Sequence, residues 1–266
     1  MHSHEQTPLK VCVVGNSHIT ALKRYWSKVS HADFWNPTFF GANTISLKGL
    51  KSRNGILAAS GKSCKNSFSR TANGLDHIVV ENYDCFYLSG TLSGSNLAKM
   101  VYQIDQCHAD GMPLTSQFIQ DLALEFYQGS LLQRLGETFR SATDKPIFAS
   151  AGPLPSEKIS NSKGGLRIES GRTLAYQKLL DYFEQTISSL AAESGVQYIE
   201  YPRASRAEVL FNTHNVMIGS QALSGKTNKE LPQHDLIHGN AEYGKLVFDQ
   251  IVKLMPRNCD RQLLST

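Results

Sequence analysis

Strand-like and helix-like segments alternate along this 266-residue chain, and that alternation limits the available folds more than any other feature. Lys10–Gly15 (KVCVVG) is short, largely β-branched and stopped by Gly, as a strand buried on both faces should be. His18–Val29 follows with Ile19, Leu22, Tyr25, Trp26 and Val29 at helical spacing. A second strand is expected within Asp33–Ala42, where Pro37 places it near an edge or at a strand start. Tyr83–Gly90, Lys145–Pro155 and Gly195–Pro202 read as three more strands. Long helices are expected over Ser116–Ser141, Gly171–Ser194 and Asn240–Met255. Between Asn43 and Asp76 the texture turns to Gly, Ser, Lys and Asn, and this stretch reads as an inserted hairpin and loop. Strands separated by helices of crossover length form a parallel sheet covered on both faces. Ligands of such sheets bind beyond the carboxyl ends of the strands, and Ser17 lies at one of those ends.

The length suits one domain spanning residues 1–266, with 43–76 as its insertion, and is enough to bury a full core. Lys and Arg number 27 against 23 Asp and Glu, a net charge of +4. The loose basic group Lys48, Lys51, Arg53, Lys62 and Lys65 reads as a solvated loop face, with no nucleic-acid partner expected. The five cysteines form no C-x-x-C pair and no framework, which favours free thiols and a reducing, cytoplasmic setting. The first ten residues lack the apolar core of a secretory signal, and no stretch approaches the length of a membrane span.

Two segments, GILAASGKS and GSQALSGKT, resemble a phosphate-binding loop, but each misses its first glycine by one residue: Ile56 and Ser220 stand where Gly is required. Neither CKNSFSR nor NKELPQH reads as the helix that must follow, so both segments are taken as polar loops. The histidines His2, His4, His31, His77, His108 and His214 show no metal-ligand spacing. No metal or cofactor is expected.

The chemistry concentrates at the two ends of the chain. After the first strand comes Gly15-Asn16-Ser17-His18, and just before the last helix comes Asp235-Leu236-Ile237-His238. Ser17 alone reads as a helix cap, and D-x-x-H alone reads as a turn. Together they supply a hydroxyl, an imidazole to take its proton, and a carboxylate to hold that imidazole. His18 is expected to pack beside the site and His234 to lie in solvent or against substrate.

On these residues the chain resembles the SGNH hydrolase superfamily, the GDSL-type esterases and lipases. That family's Gly-Asp-Ser motif corresponds to Gly15-Asn16-Ser17, and its Asp-x-x-His to Asp235–His238. The resemblance implies a three-layer α/β/α sandwich with a parallel, flavodoxin-like sheet, and a cofactor-free serine esterase. Ser17 would be the nucleophile, His238 the base and Asp235 its orienting partner, with Ser17 and Gly41 N–H groups in the oxyanion hole. The family's Gly-x-Asn reads Gly90-Thr91-Leu92 here, and Leu92 cannot donate a hydrogen bond. Asn96, Asn43 or a backbone N–H near Thr91 can replace that donor; Asn96, expected in a loop after the third strand, is the first choice among them. The resemblance further suggests a small acyl ester, such as an acetyl group on a carbohydrate. An O-acyltransferase using the same three residues and a non-catalytic glycan-binding module are the alternatives.

Overall fold

The computed structural model describes residues 7–29, 35–161, 173–222, 231–232 and 235–254. The chain enters β1 (Leu9–Gly15) and turns into α1 (Ile19–Trp26), and β2 (Trp35–Gly41) follows. The next segment contains α2 (Thr44–Lys48), β3 (Leu50–Arg53), β4 (Ile56–Ala59), α3 (Lys62–Thr71) and β5 (His77–Val79). The chain then alternates through β6 (Cys85–Ser89), α4 (Gly94–Ala109), α5 (Ser116–Tyr127), α6 (Leu131–Arg140), β7 (Ile147–Ser150), α7 (Thr173–Glu193) and β8 (Gln197–Ile199). A short β9 (Arg206–Glu208) and β10 (Phe211–Asn212) precede the closing α8 (Ala241–Leu254).

The main sheet is parallel throughout, in the order β2-β1-β6-β7-β8. Counting only its own strands, that is 2-1-3-4-5, the flavodoxin-like order. Its two faces are read directly from the alternation in β1. Val11 and Val13 pack with Ile19, Leu22, Tyr243, Val247 and Phe248 under α1 and α8. Cys12 and Val14 point the other way, into a larger core with Leu97 and Val101 of α4, Leu135 and Phe139 of α6, and Leu180 and Phe183 of α7. The result is a three-layer α/β/α sandwich, as expected.

Three expectations change. The single helix over Ser116–Ser141 is two helices: Gly129 takes φ +66° and Ser130 caps α6, its side chain accepting from the Gln133 N–H. The loop expected after the hairpin in 43–76 is instead α3, which covers CKNSFSR, followed by a third strand. Its buried face, Cys64, Phe68 and Thr71, recurs at helical spacing, so the run is amphipathic despite its many Ser and Asn residues. Finally, the loop expected after Gly90 is short and opens into α4, capped by Ser93. The hairpin itself turns on Asn54-Gly55, with φ +50° and +72°, as a two-residue type I′ connection demands. GSQALSGKT lies partly outside the described residues, and His2, His4, His31 and His234 lie wholly outside them. Among the described residues, no helix is long and apolar enough to cross a membrane, Cys12, Cys64, Cys85 and Cys107 are free thiols, and no three His, Cys, Asp or Glu side chains gather as a metal site.

Candidate active site

The sheet order reverses at β1: the chain goes next to β2 on one side, then to β6 on the other. The crevice at such a reversal, beyond the carboxyl ends of the strands, is open by topology alone. β1 ends there at Gly15 and β6 at Ser89, paired in register. A Cβ on Gly15 would stand 2.5 Å from the Ser89 carbonyl oxygen, so only glycine lets the two strands close at this point.

Asn16 then locks the turn. Its Nδ2 donates to the Gly90 carbonyl at 2.9 Å, and its Oδ1 accepts from the His18 N–H at 3.1 Å. An aspartate could make the second bond but not the first, because a carboxylate repels a carbonyl oxygen. The amide therefore ties the turn after β1 to the turn after β6 and leaves Ser17 projecting between them.

The partner loop arrives from the other end of the chain. Leu236 accepts through its carbonyl from the Ser156 N–H at 2.8 Å. Asn240 anchors the loop more firmly: its Nδ2 donates to the Asn215 and Ile218 carbonyls at 2.6 and 2.8 Å, while its Oδ1 accepts from Glu242 and Tyr243 N–H groups at the start of α8. Between these anchors, Asp235 Oδ1 accepts from the N–H groups of Ile237 and His238, both at 3.1 Å. The turn is thus built by the same carboxylate that faces the imidazole.

The geometry that results joins all three chemical groups. Ser17 Oγ lies 2.8 Å from His238 Nε2, and His238 Nδ1 lies 2.9 Å from Asp235 Oδ2. Burial acts to raise the Asp235 carboxyl, but the hydrogen bond from His238 and the N–H of Ile237 outweigh it, and the net shift is downward. Asp235 therefore stays ionised, fixes the proton on Nδ1 and leaves Nε2 able to accept from the Ser17 hydroxyl.

His18 lies directly beside His238, ring centroids 4.9 Å apart. Its Nδ1 is out of contact with water and has no hydrogen-bond partner. Burial, then the neighbouring His238, push its pKa down to about 3, so the ring is neutral. Room for this second ring comes from two glycines. A Cβ on Gly152 would stand 2.7 Å from His18 Cδ2, and one on Gly90, itself at φ +67°, would stand 3.0 Å from the same atom.

The expected oxyanion donors fare differently. The Gly41 N–H donates to Thr71 Oγ1 at 2.9 Å in a buried bond, and the neighbouring Ala42 N–H donates to the Gly15 carbonyl. Neither is free to meet a substrate oxygen in this arrangement. The Thr91 N–H is likewise taken by the Ser150 carbonyl, and Asn43 caps α2 through its side chain. Asn96 sits in the first turns of α4 rather than in a loop, its own N–H bonded to Ser93 Oγ. Its side chain lines the cavity that holds Ser17 and His238, and none of the described hydrogen bonds uses that amide.

That cavity has a volume of about 880 Å³. Besides Ser17 and His238 it is lined by Leu92, by Met100 of α4, by Leu122 and Phe126 of α5, and by Lys48 of α2. The α4 part of this wall is absent from the pattern of helices expected from the sequence. Its signal was present as Ser93 ahead of Leu97, Ala98, Val101 and Ile104.

Fold and site together define a doubly wound α/β protein with a Ser-His-Asp constellation at its topological switch point. No family model matches the chain, and no curated protein matches it. Among solved structures, the chain is similar to an extracellular lipase from Streptomyces rimosus, at 13% identity over 91% of this chain and 99% of that one, with a TM-score of 0.41.

Proposed function

We propose that the protein is a serine hydrolase of the SGNH type that cleaves carboxylic esters through an acyl-enzyme. The observation that carries this reading is the continuous chain of contacts from Ser17 Oγ through His238 to Asp235, at 2.8 and 2.9 Å. In this reading Ser17 Oγ attacks the ester carbonyl carbon while its proton passes to His238 Nε2. The tetrahedral intermediate collapses, the ester C–O bond breaks, and the departing alkoxide takes that proton as an alcohol. Water then repeats the cycle on the acyl-enzyme, losing a proton to His238 and releasing the acid and free Ser17.

The developing oxyanion meets the Ser17 N–H, at the start of α1, and the Asn96 side-chain amide. Gly41 is left out because its N–H is held by Thr71. Leu92, in place of an asparagine, lines the cavity rather than binding the oxyanion. The acyl group lies along Leu92, Met100, Leu122 and Phe126, which gives room for chains longer than acetyl; the carbohydrate expectation rested on the resemblance alone. A fluorophosphonate probe, followed by mass-spectrometric mapping, should modify Ser17 and nothing else. Turnover of p-nitrophenyl esters should vanish with the labelling. Probe on another residue, or none on a folded protein, would overturn the reading.

A further inference from the structure

The charge of this chain is concentrated in one place. Residues 43–76 hold six Lys and Arg against a single Asp, a net of +5, while the remaining 21 basic and 22 acidic residues net −1. The segment that contains α2, β3, β4 and α3 thus holds more than the whole positive excess of the protein.

The sheet formed with β5 arranges part of that charge. Residues paired across antiparallel strands share a face, and neighbours along a strand face opposite ways. Leu50, Leu57, Ala59 and Ile78 are buried in the core, so they define the inner face. The outer face is then set by register: Lys51 opposite Ala58, Arg53 opposite Ile56, and beyond them His77 and Val79 on β5. One carboxylate reaches it: Asp76, the segment's single acid, whose Oδ1 lies 2.7 Å from Nδ1 of His77. Lys62 and Lys65 are exposed on α3 nearby in sequence.

The same segment also exposes aliphatic side chains. Ile45 on α2 is 86% exposed and Ile56 on β4 is 39% exposed. Ile45 is three residues from Lys48, whose ammonium donates to the Gly129 carbonyl and which lines the catalytic cavity. Ile237, which also lines that cavity, is 41% exposed. Exposed aliphatic groups interspersed with Lys and Arg suit a boundary between anionic headgroups and acyl chains, where both kinds of side chain find partners. A nucleic acid or an acidic polysaccharide would satisfy the cations but leave Ile45 and Ile56 in water.

We propose that the face built by residues 43–76 and β5 docks the protein on an anionic lipid surface, with α2 bringing the mouth of the cavity against it. Docking is independent of the esterase reading; delivery of an ester from the lipid phase to Ser17 rests on that reading.

The test is co-sedimentation of the full chain, without substrate, with vesicles of phosphatidylcholine alone or mixed with phosphatidylglycerol. Binding is expected only to the mixed vesicles, and it should weaken as salt rises. Each cation near an anionic surface strengthens binding roughly fivefold, so the double variant Lys51→Glu/Arg53→Glu should weaken it by at least about 25-fold. Ile45→Ser should weaken it by about tenfold, the worth of burying one aliphatic side chain. Lys178→Glu, exposed on α7, should bind as the parent does. Equal binding to neutral vesicles, no binding at all, or no effect of the double variant overturns the proposal. So does an effect of the charge reversals without one of Ile45→Ser, which would mark a plain polyanion site. Heparin or duplex DNA binding more tightly than vesicles would overturn it for the same reason. Docking by the Ser17→Ala protein, measured alongside probe labelling of the parent, separates failure of this proposal from failure of the esterase reading.

Discussion

The two halves of the site are built in different ways. The proposed proton-relay half comes from two short stretches, Gly15–His18 and Asp235–His238, and every group in it is already joined: Ser17 to His238, His238 to Asp235, and Asp235 to two N–H groups of its own turn. In the proposed oxyanion half, the Gly41 N–H is held by Thr71, and Leu92 stands where the family resemblance calls for an amide. A hydrogen-bonded relay can be assembled by local turns, whereas donors aimed at a point in empty space depend on how distant elements pack. The first half is therefore legible as a motif. The second is not.

The largest expected effect lies in the relay. Ser17→Ala and His238→Ala should each lower kcat/KM for a p-nitrophenyl ester by roughly 10⁴-fold or more, with circular dichroism unchanged, because the remaining site keeps only binding and oxyanion stabilisation. Asp235→Asn should lose less, roughly 10²- to 10⁴-fold, since an asparagine Oδ1 can still accept the N–H groups that shape the turn. Near-equal activity of Ser17→Ala would leave the relay without a chemical role.

A smaller effect separates the two oxyanion candidates. Asn96→Ala should reduce kcat about 10²- to 10³-fold with little change in KM, the usual cost of one such donor. Thr71→Val, by contrast, removes the hydroxyl that holds the Gly41 N–H. It should lower stability by about 1–3 kcal/mol, the cost of a buried donor left unpaired, and leave kcat within about twofold, the margin of a group that meets no developing charge. If Asn96→Ala is silent and Thr71→Val changes kcat instead, the donor is Gly41, and its bond to Thr71 must break on substrate binding.

The same contrast runs through the fold. The five parallel strands were readable because each is a short apolar run bounded by turn residues, and buried parallel strands demand that pattern. The boundary between α5 and α6 was hidden because Gly129 and Ser130 interrupt a hydrophobic period that continues on both sides. α3 was hidden for the opposite reason: its sequence is so polar that the three buried positions hardly stand out. The Thr71 hydroxyl that occupies Gly41 comes from the end of that same helix. The helix α3 and the bond that holds the Gly41 N–H thus escape the sequence for one reason, a contact between residues 30 apart.

The smallest predicted effect concerns His18, which belongs to neither half but touches the relay. Its folded pKa of about 3 lies below the ordinary histidine value near 6.5, first because of burial and then because of His238. The unfolded chain therefore binds a proton at His18 that the folded chain refuses, and stability must fall as pH drops below about 6.5 and continue falling toward 3. Above that window the group contributes no pH dependence. His18→Asn removes the titration while placing a shorter, neutral side chain between Gly90 and Gly152. Thermal unfolding at neutral pH and at about pH 5 should show the parent losing on the order of 1 kcal/mol more than the variant between the two conditions, a modest figure because His18 is partly open to the cavity. The two proteins differ only at this side chain, so the comparison isolates the His18 share. An identical acid loss in parent and variant would mean that His18 is protonated as readily in the folded chain as in the unfolded one. The ring beside His238 would then carry charge at mildly acidic pH and oppose formation of the imidazolium that the relay requires.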